Sequence, residues 1–250
     1  MSRGVLITGA ALGLGLGLAK AFAEAGDRVF LSDISPAVSD AAAGLAAGSH
    51  CADLSAPGAA ADLAARAADH LCGVDILINN AVIRRMAEVP DLPDADWDRA
   101  MEVNLSAPFR LIKACLPGMK AKGWGRIINM GSVYSLIALA GRADYVTTKH
   151  AITGLTRTVA LELAGTAITC NAICPGLMAT DSALARIAAL AETRGISAAE
   201  AEREFLSTRQ PGGKFIPMET VTALALFLCG ETSAGLNGAA IPVDNGWSFA

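Results

Sequence analysis

The chain has 250 residues, of which 53% are hydrophobic and 18% charged, with a formal net charge of −4. Such a length fits one large α/β domain, residues 1–250, with a sizeable core, and the acidic balance without any lysine–arginine block argues against a nucleic-acid partner. Mean hydropathy is positive, yet no stretch approaches the roughly 18–20 apolar residues of a spanning helix, so no membrane partner is expected.

Strand-like and helix-like segments alternate from end to end. GVLITG (4–9) is an apolar run followed by a glycine-rich turn and a helical pattern ending near Gly26. RVFLSD (28–33) reads as the next strand, with an alanine-rich helix after Pro36. HCADL (50–54) reads as a short third strand, residues 57–71 as helix and VDILINN (74–80) as a fourth strand. Residues 94–123 then show helical periodicity closed by glycine. GRIINMGS (125–132) is a fifth strand, 144–164 a helix, AITCNAICPG (167–176) a sixth strand, 219–230 a helix and GAAIPVD (238–244) a last strand. Alternation of this kind with nearly continuous apolar strands predicts a Rossmann-type doubly wound parallel sheet of about seven strands, covered by helices on both faces. The only long insertion, 178–216, follows the sixth strand; within it AETRGISAAEAEREF (191–205) reads as helix with charged faces, a natural lid over a crevice.

The first strand begins within a few residues of Met1, which leaves no room for a signal peptide. Six cysteines occur without a CxxC pair. Cys170 and Cys174 lie in an apolar strand-like run and read as core thiols rather than metal ligands. His50, His70 and His150 form no metal spacing. The expected chain is reduced, cytoplasmic and free of metal.

Residues 8–15 read TGAALGLG. Gly9, Gly13 and Gly15 stand at a strand-to-helix turn, where absent Cβ atoms let backbone approach a pyrophosphate at a helix N-terminus. Asp33 ends the second strand, where a carboxylate would accept both adenosine ribose hydroxyls and repel a 2′-phosphate. No Arg or Lys lies in the turn or directly after Asp33, so NAD is favoured over NADP. The alternative for Asp33 is a strand-end or helix-capping acid.

Tyr145, one of two tyrosines, stands four residues before Lys149, which on a helix puts both on one face. By itself this could be a surface pair covering apolar neighbours.

With these residues assembled, the chain resembles the short-chain dehydrogenase/reductase family over essentially its whole length. The resemblance lies in TGAALGLG at 8–15, ADL at 52–54, NNA at 79–81, Asn104, Ser132, Tyr145 with Lys149, and PGLMAT at 175–180. It implies that Tyr145 is the acid/base. A free tyrosine has a pKa of about 10, and a neighbouring cation such as Lys149 favours the phenolate. Ser132 would bind and orient the substrate oxygen, and Asn104 would hold a water linking Lys149 to solvent. Lys149 would also hold the nicotinamide ribose, Thr180 the carboxamide, and Asp53 would face the adenine. Leu12, Leu14, Leu54, Asn80, Pro175, Gly176 and Leu177 complete the implied NAD site. The family usually has glycine where this chain has Val82, which would be strained if that position required a positive φ; that departure leaves a noncatalytic NAD(H)-binding sensor as the alternative.

Within the family the chain is similar to bacterial D-3-hydroxybutyrate dehydrogenases, through LPGMKAKGWGRIIN (116–129), TCNAICPG (169–176), RQPGGKFI (209–216), LALFLCG (224–230) and IPVDNGWS (241–248), with Asn245 replacing a usual glycine. Where those enzymes place polar substrate-binding residues, this chain has Arg84, Tyr134, Arg142, Leu177 and Arg186. Arg142 and Arg186 also resemble the sulfonate-holding arginines of 2-(R)-hydroxypropyl-coenzyme M dehydrogenases. The expectation is a small anionic secondary alcohol or ketone, carboxylate or sulfonate, bound by Arg84, Ser132, Tyr134, Arg142, Tyr145, Leu177 and Arg186. The resemblance further implies a homotetramer.

Overall fold

A computed structural model describes residues 2–207 and 209–249. Among them, seven parallel strands form one sheet: β1 (Gly4–Thr8), β2 (Arg28–Asp33), β3 (Gly48–Cys51), β4 (Ile76–Asn79), β5 (Gly125–Met130), β6 (Ile168–Pro175) and β7 (Ala240–Val243). Their order is β3-β2-β1-β4-β5-β6-β7, the doubly wound arrangement expected from the alternation. The direction of winding reverses between β1 and β4. Loops leaving the carboxyl ends of these two strands therefore diverge, and a crevice opens between them.

Side-chain alternation along the strands divides the interior into two layers. Val5 and Ile7 join Leu18 and Phe22 of α1 (Gly13–Glu24) and Val221 and Leu228 of α9 (Met218–Leu228). Leu6, between them in sequence, points to the opposite face. There it meets Leu63 of α3 (Ala59–Leu71), Leu111 and Met119 of α5 (Ala107–Lys122) and Val159 of α6 (Ala143–Glu162). Cys170 and Cys174 are fully buried in β6.

Three segments depart most from the sequence reading. The third strand is Gly48–Cys51 rather than 50–54: Cys51 pairs with Asp33, the last residue of β2, so the chain beyond it has no neighbour to extend the ladder. The long helical pattern at 94–123 is interrupted. α4 (Asp94–Met101) passes through a π-helical turn, Glu102–Ser106, before α5 begins. Pro108 has no N–H to give the carbonyl four residues earlier, at Asn104, and the widened turn absorbs that loss. In the insertion, the charged pattern at 191–205 is two helices, α7 (Asp181–Arg194) and α8 (Ala198–Ser207). Gly195, in a left-handed conformation at φ 62°, caps the first. Ser197 and Glu200 start the second with reciprocal bonds: the Ser197 N–H donates to Glu200 Oε2 at 3.0 Å, and the Glu200 N–H donates to Ser197 Oγ at 3.3 Å. Both signals are local and outweigh the periodicity that spans them.

The insertion leaves and rejoins the sheet at one point. Leu177 O accepts from the Ile216 N–H at 2.8 Å and from Gln210 Nε2 at 2.7 Å. Between these ends Ile187, Ala201 and Phe205 form a small separate core with Leu177, Leu190 and Phe215. The segment thus carries its own packing, as a lid does. The remaining helix, α2 (Val38–Ala43), covers the edge next to β3.

Candidate active site

The crevice at the switch point is a continuous cleft of about 480 Å³. One end is walled by the glycine turn, Asp33, Asp53 and Leu54, and the other by Ser132, Tyr145 and Lys149, with Arg84 and Arg186.

At the first end, Gly9 has φ 65° and Gly15 lies at the start of α1. A Cβ on Gly15 would stand 2.0 Å from Gly9 O and 2.7 Å from Asn80 Nδ2, so only glycine fits this packing of turn against strand end. Asn80 itself donates from Nδ2 to Thr8 O at 3.0 Å and to Gly9 O at 2.9 Å. Thr8 Oγ1 accepts the N–H groups of Asn80 and Ala81, each at 3.0 Å. These bonds lock the ends of β1 and β4 together across the switch point. Asp33 Oδ2 accepts from the Ala11 N–H at 3.0 Å and Oδ1 from the Ser35 N–H at 2.9 Å, which fixes the carboxylate at the cleft wall. Leu12 and Ile34 stand exposed beside it.

Asp53 also lines the cleft, but its oxygens are committed. Oδ1 accepts from the Ser55 N–H and hydroxyl, and Oδ2 from Arg99 at 3.0 Å. The Ser55 bonds, aided by the Arg99 charge, hold its carboxyl below the usual carboxylate range. Leu14, Leu54, Asn80, Pro175, Gly176, Leu177 and Thr180 all line the same cleft. Thr180 also caps α7, its hydroxyl accepting the Ala183 N–H at 3.3 Å.

At the second end, Tyr145 and Lys149 share one face of α6, with Lys149 Nζ 5.5 Å from the tyrosine ring centroid. Lys149 is buried and donates to Met130 O. Burial pushes its ammonium below the ordinary lysine value. Ser132, just past β5, caps a short 3-10 turn, Val133–Ser135. Its Oγ accepts the Tyr134 N–H at 3.3 Å, which leaves the hydroxyl proton available to a ligand. Asn104 lies in the π turn and makes a two-way amide pair with Ile83: Oδ1 accepts the Ile83 N–H and Nδ2 donates to Ile83 O, both at 2.8 Å. Its Nδ2 also reaches Thr148 Oγ1 at 3.1 Å.

The loop after β4 is pinned at alternate residues. Asn104 holds Ile83, Asp144 Oδ2 accepts the Arg85 N–H at 2.8 Å, and the Ala87 N–H donates to Gly141 O at 3.2 Å. In extended chain, residues between such anchors face the other way. Arg84 accordingly stands over the Tyr145 ring, 5.8 Å from its centroid. Arg186 rests over Phe205 at 5.1 Å, and Arg209 over the same ring at 4.6 Å.

The predicted residues are therefore brought together with three exceptions. Asn104, Tyr134 and Arg142 are not part of the cleft lining. Asn104 is buried behind it, its amide taken up by Ile83 and Thr148. The Tyr134 ring is held edge-on between Tyr145 (6.1 Å) and Trp247 (5.5 Å), which turns it into a second layer. Arg142, at the N-terminus of α6, is half-buried. Burial and the adjacent Arg84 charge hold its guanidinium below the ordinary value. Val82 lines the cleft and is not one of the non-glycine residues with positive φ, which are Ala46, Cys72 and Asn245; the strain expected of a β-branched residue there does not arise.

Thr8, Arg99, Asp144, Arg209 and Trp247 escaped the sequence reading. Thr8 stands inside the quoted glycine motif and Asp144 directly before Tyr145, so both had a local signal. Arg99, Arg209 and Trp247 reach the site only through tertiary contacts.

A family model described as enoyl-(acyl carrier protein) reductase matches residues 9–248. The chain belongs to the short-chain dehydrogenase/reductase family. It is 41% identical to a D-beta-hydroxybutyrate dehydrogenase of Rhizobium meliloti (strain 1021), covering 99% of each chain. With the D-beta-hydroxybutyrate dehydrogenase of Cupriavidus necator it shares 39% identity, over 97% of this chain and 96% of the other. The solved L-sorbose reductase of Gluconobacter frateurii, complexed with NADPH and L-sorbose, superposes with a TM-score of 0.94 at 27% identity, covering 100% of this chain and 98% of that one. The protein is thus an oxidoreductase of a family that works with nicotinamide cofactors. No helix among the described residues is long and apolar enough to cross a membrane.

Proposed function

We propose that the protein is an NAD-dependent dehydrogenase that interconverts a secondary alcohol and its ketone on a small anionic substrate, with Tyr145 as the acid/base. The observation carrying this reading is the shared cleft: Ser132, Tyr145 and Lys149 line one end together with Arg84 and Arg186, while Asp33 and the glycine turn line the other. A dinucleotide fits this geometry. Gly13, at the N-terminus of α1, lines the cleft with open space where a Cβ would stand, and the Asp33 carboxylate favours a ribose diol over a 2′-phosphate, hence NAD. Gly9, Gly13, Gly15 and Asn80 would hold the pyrophosphate end, and Lys149, Pro175, Gly176 and Thr180 the nicotinamide end. When bound, NAD supplies the hydride acceptor.

The chain's own groups handle the proton. Ser132 donates its free hydroxyl proton to the substrate oxygen and orients the carbinol. Tyr145, as phenolate, takes the proton of the alcohol while the carbinol carbon gives up its hydride, and returns it in the reverse reaction. Lys149 stabilises the phenolate through its nearby charge. Asn104, anchored to Ile83, keeps the helix open at the π turn, where a water would connect Lys149 to solvent. Arg84 and Arg186 meet the anion, with Arg142 adding charge behind Arg84; guanidinium forks suit carboxylate and sulfonate alike. The resemblance to hydroxybutyrate dehydrogenases supports a hydroxy-carboxylate over a sulfonate, and a homotetramer is proposed on the same ground. The test is a screen of NAD reduction over hydroxy-carboxylates, hydroxy-sulfonates and uncharged secondary alcohols. Preference for an anionic substrate is expected, and equal rates on uncharged alcohols of the same size would defeat the reading.

A further inference from the structure

Ser132 lines the cleft just past the end of β5. Its hydroxyl can serve a substrate oxygen only while the side chain holds one of its three staggered rotamers. The turn that follows supplies that constraint. The Ser135 N–H donates to Ser132 O at 2.8 Å, and the Ser132 N–H donates in return to Ser135 Oγ at 3.2 Å. The Tyr134 N–H donates to Ser132 Oγ at 3.3 Å. The N–H, the carbonyl and Oγ of Ser132 thus all have partners inside one turn, and its hydroxyl proton faces the cleft.

Ser135 completes a reciprocal capping box, yet it is no surface cap. It is buried, as is Cys174 of β6. A Cβ on Gly131 would stand 2.9 Å from Ser135 Oγ, 2.7 Å from Cys174 Sγ and 3.1 Å from Ile173 O, so the oxygen and the thiol crowd the same stretch of backbone. The Gly131 N–H donates to Ile173 O at 2.7 Å and clamps the ends of β5 and β6 together there. Burial pushes the Cys174 thiol up, while hydrogen bonding with the Ser135 side chain and the Ser132 backbone pulls it the other way. At a solvent-facing cap, water can take over a lost acceptor. Here the site is sealed, and the Ser132 N–H would be left without a partner.

We propose that Ser135, backed by Cys174, is a positioning residue for the reaction: by accepting the Ser132 N–H it fixes the serine whose hydroxyl orients the substrate oxygen. This rests on the dehydrogenase reading above and deepens it. Ser135 does not line the cleft and acts only through Ser132. Its loss lets the Ser132 hydroxyl drift from the carbinol oxygen, and small misplacements of an orienting group are costly to turnover.

The test is a double-mutant cycle of Ser132→Ala and Ser135→Ala. It is read as kcat for NAD reduction on the alcohol that ranks first in the screen above, 3-hydroxybutyrate included, and as NADH binding by fluorescence. Ser135→Ala should lower kcat by roughly tenfold and leave NADH binding unchanged. Ser132→Ala should cost more, and adding Ser135→Ala to it should cost nothing further, because the group being positioned is already gone. Losses that multiply in the double variant would assign Ser135 to the fold at large, and an unchanged kcat in Ser135→Ala would show that Ser132 holds its place unaided. Either result overturns the proposal and leaves the dehydrogenase function standing. Near wild-type turnover in Ser132→Ala removes Ser132 from the chemistry and the proposal with it, and an unaltered protein that reduces NAD with no alcohol of the screen defeats both readings. Should Ser135→Ala fail to fold, Ser135→Cys, close in shape but a weaker acceptor, takes its place in the same cycle: a smaller loss that vanishes beside Ser132→Ala supports the proposal, and a loss that persists there overturns it.

Discussion

Asp144 accepts the backbone N–H of Arg85 at 2.8 Å and thereby ties the loop after β4 to the first turn of α6. Its other oxygen accepts the Tyr145 N–H at 2.6 Å. One buried carboxylate thus places both the proposed base and the backbone that presents Arg84. Asp144→Ala leaves these N–H groups without their acceptor, at about 1–3 kcal/mol for a buried one. Since 1 kcal/mol shifts the Tm of a 150–250-residue domain by about 2–4 °C, calorimetry should show a fall of at least that size. Turnover on anionic alcohols should drop with it. An unchanged Tm would mean that water or a shifted loop replaces the carboxylate.

Tyr145→Phe keeps the ring that Arg84 and Tyr134 pack against but removes the transferable proton. Turnover should collapse by at least about 100-fold, the usual contribution of a positioned acid/base. Binding of NADH, followed by fluorescence, should persist. Near wild-type turnover would remove Tyr145 from the chemistry.

Asp33 should make the enzyme strongly prefer NAD. In Asp33→Ala the ratio of kcat/KM for NAD over NADP should fall toward unity, because the acceptor for the ribose diol and the repulsion of a 2′-phosphate disappear together. Equal use of both cofactors by the unaltered protein would show that the carboxylate serves only the Ala11 and Ser35 N–H groups.

Arg84→Ala removes a charge that lines the cleft. Charge-assisted bonds of about 1.5–3 kcal/mol translate into a loss of roughly 10- to 100-fold in kcat/KM on an anionic alcohol, with an uncharged analogue nearly indifferent. Arg142→Ala, one layer back, should lose less. Equal losses on charged and uncharged substrates would assign both arginines to the fold.

Lys149 is held at a cost. Burial favours its neutral form and lowers its pKa from the ordinary 10.5, so the unfolded chain binds the proton more tightly than the native one. Its contribution to stability is therefore unfavourable at neutral pH and is relieved as pH rises through the lowered value toward 10.5. Lys149→Met should abolish turnover yet raise the Tm by about 2–4 °C or more. That gain should shrink when the comparison is repeated at alkaline pH. A lower Tm for the variant would mean that the bond to Met130 O outweighs the desolvation.

The sequence by itself determined what short-range chemistry controls. Strand and helix periods, the glycine turn at 9–15, and a tyrosine one turn before a lysine depend on neighbours a few residues apart. They yielded the doubly wound sheet and most of the cleft wall. The two-helix lid was equally local, in Gly195 and the Ser197–Glu200 box, but a charged periodicity concealed it. Tertiary structure alone decided which arginines face the cleft. Tyr134 follows Ser132 by two residues, and only the Trp247 ring, far along the chain, shows that it stands in the second layer. Arg209 joins Arg186 because both rest on Phe205, a contact that requires the lid helices to pack. Long flexible side chains acquire direction from the surfaces that cover them, and those surfaces form only when distant segments meet.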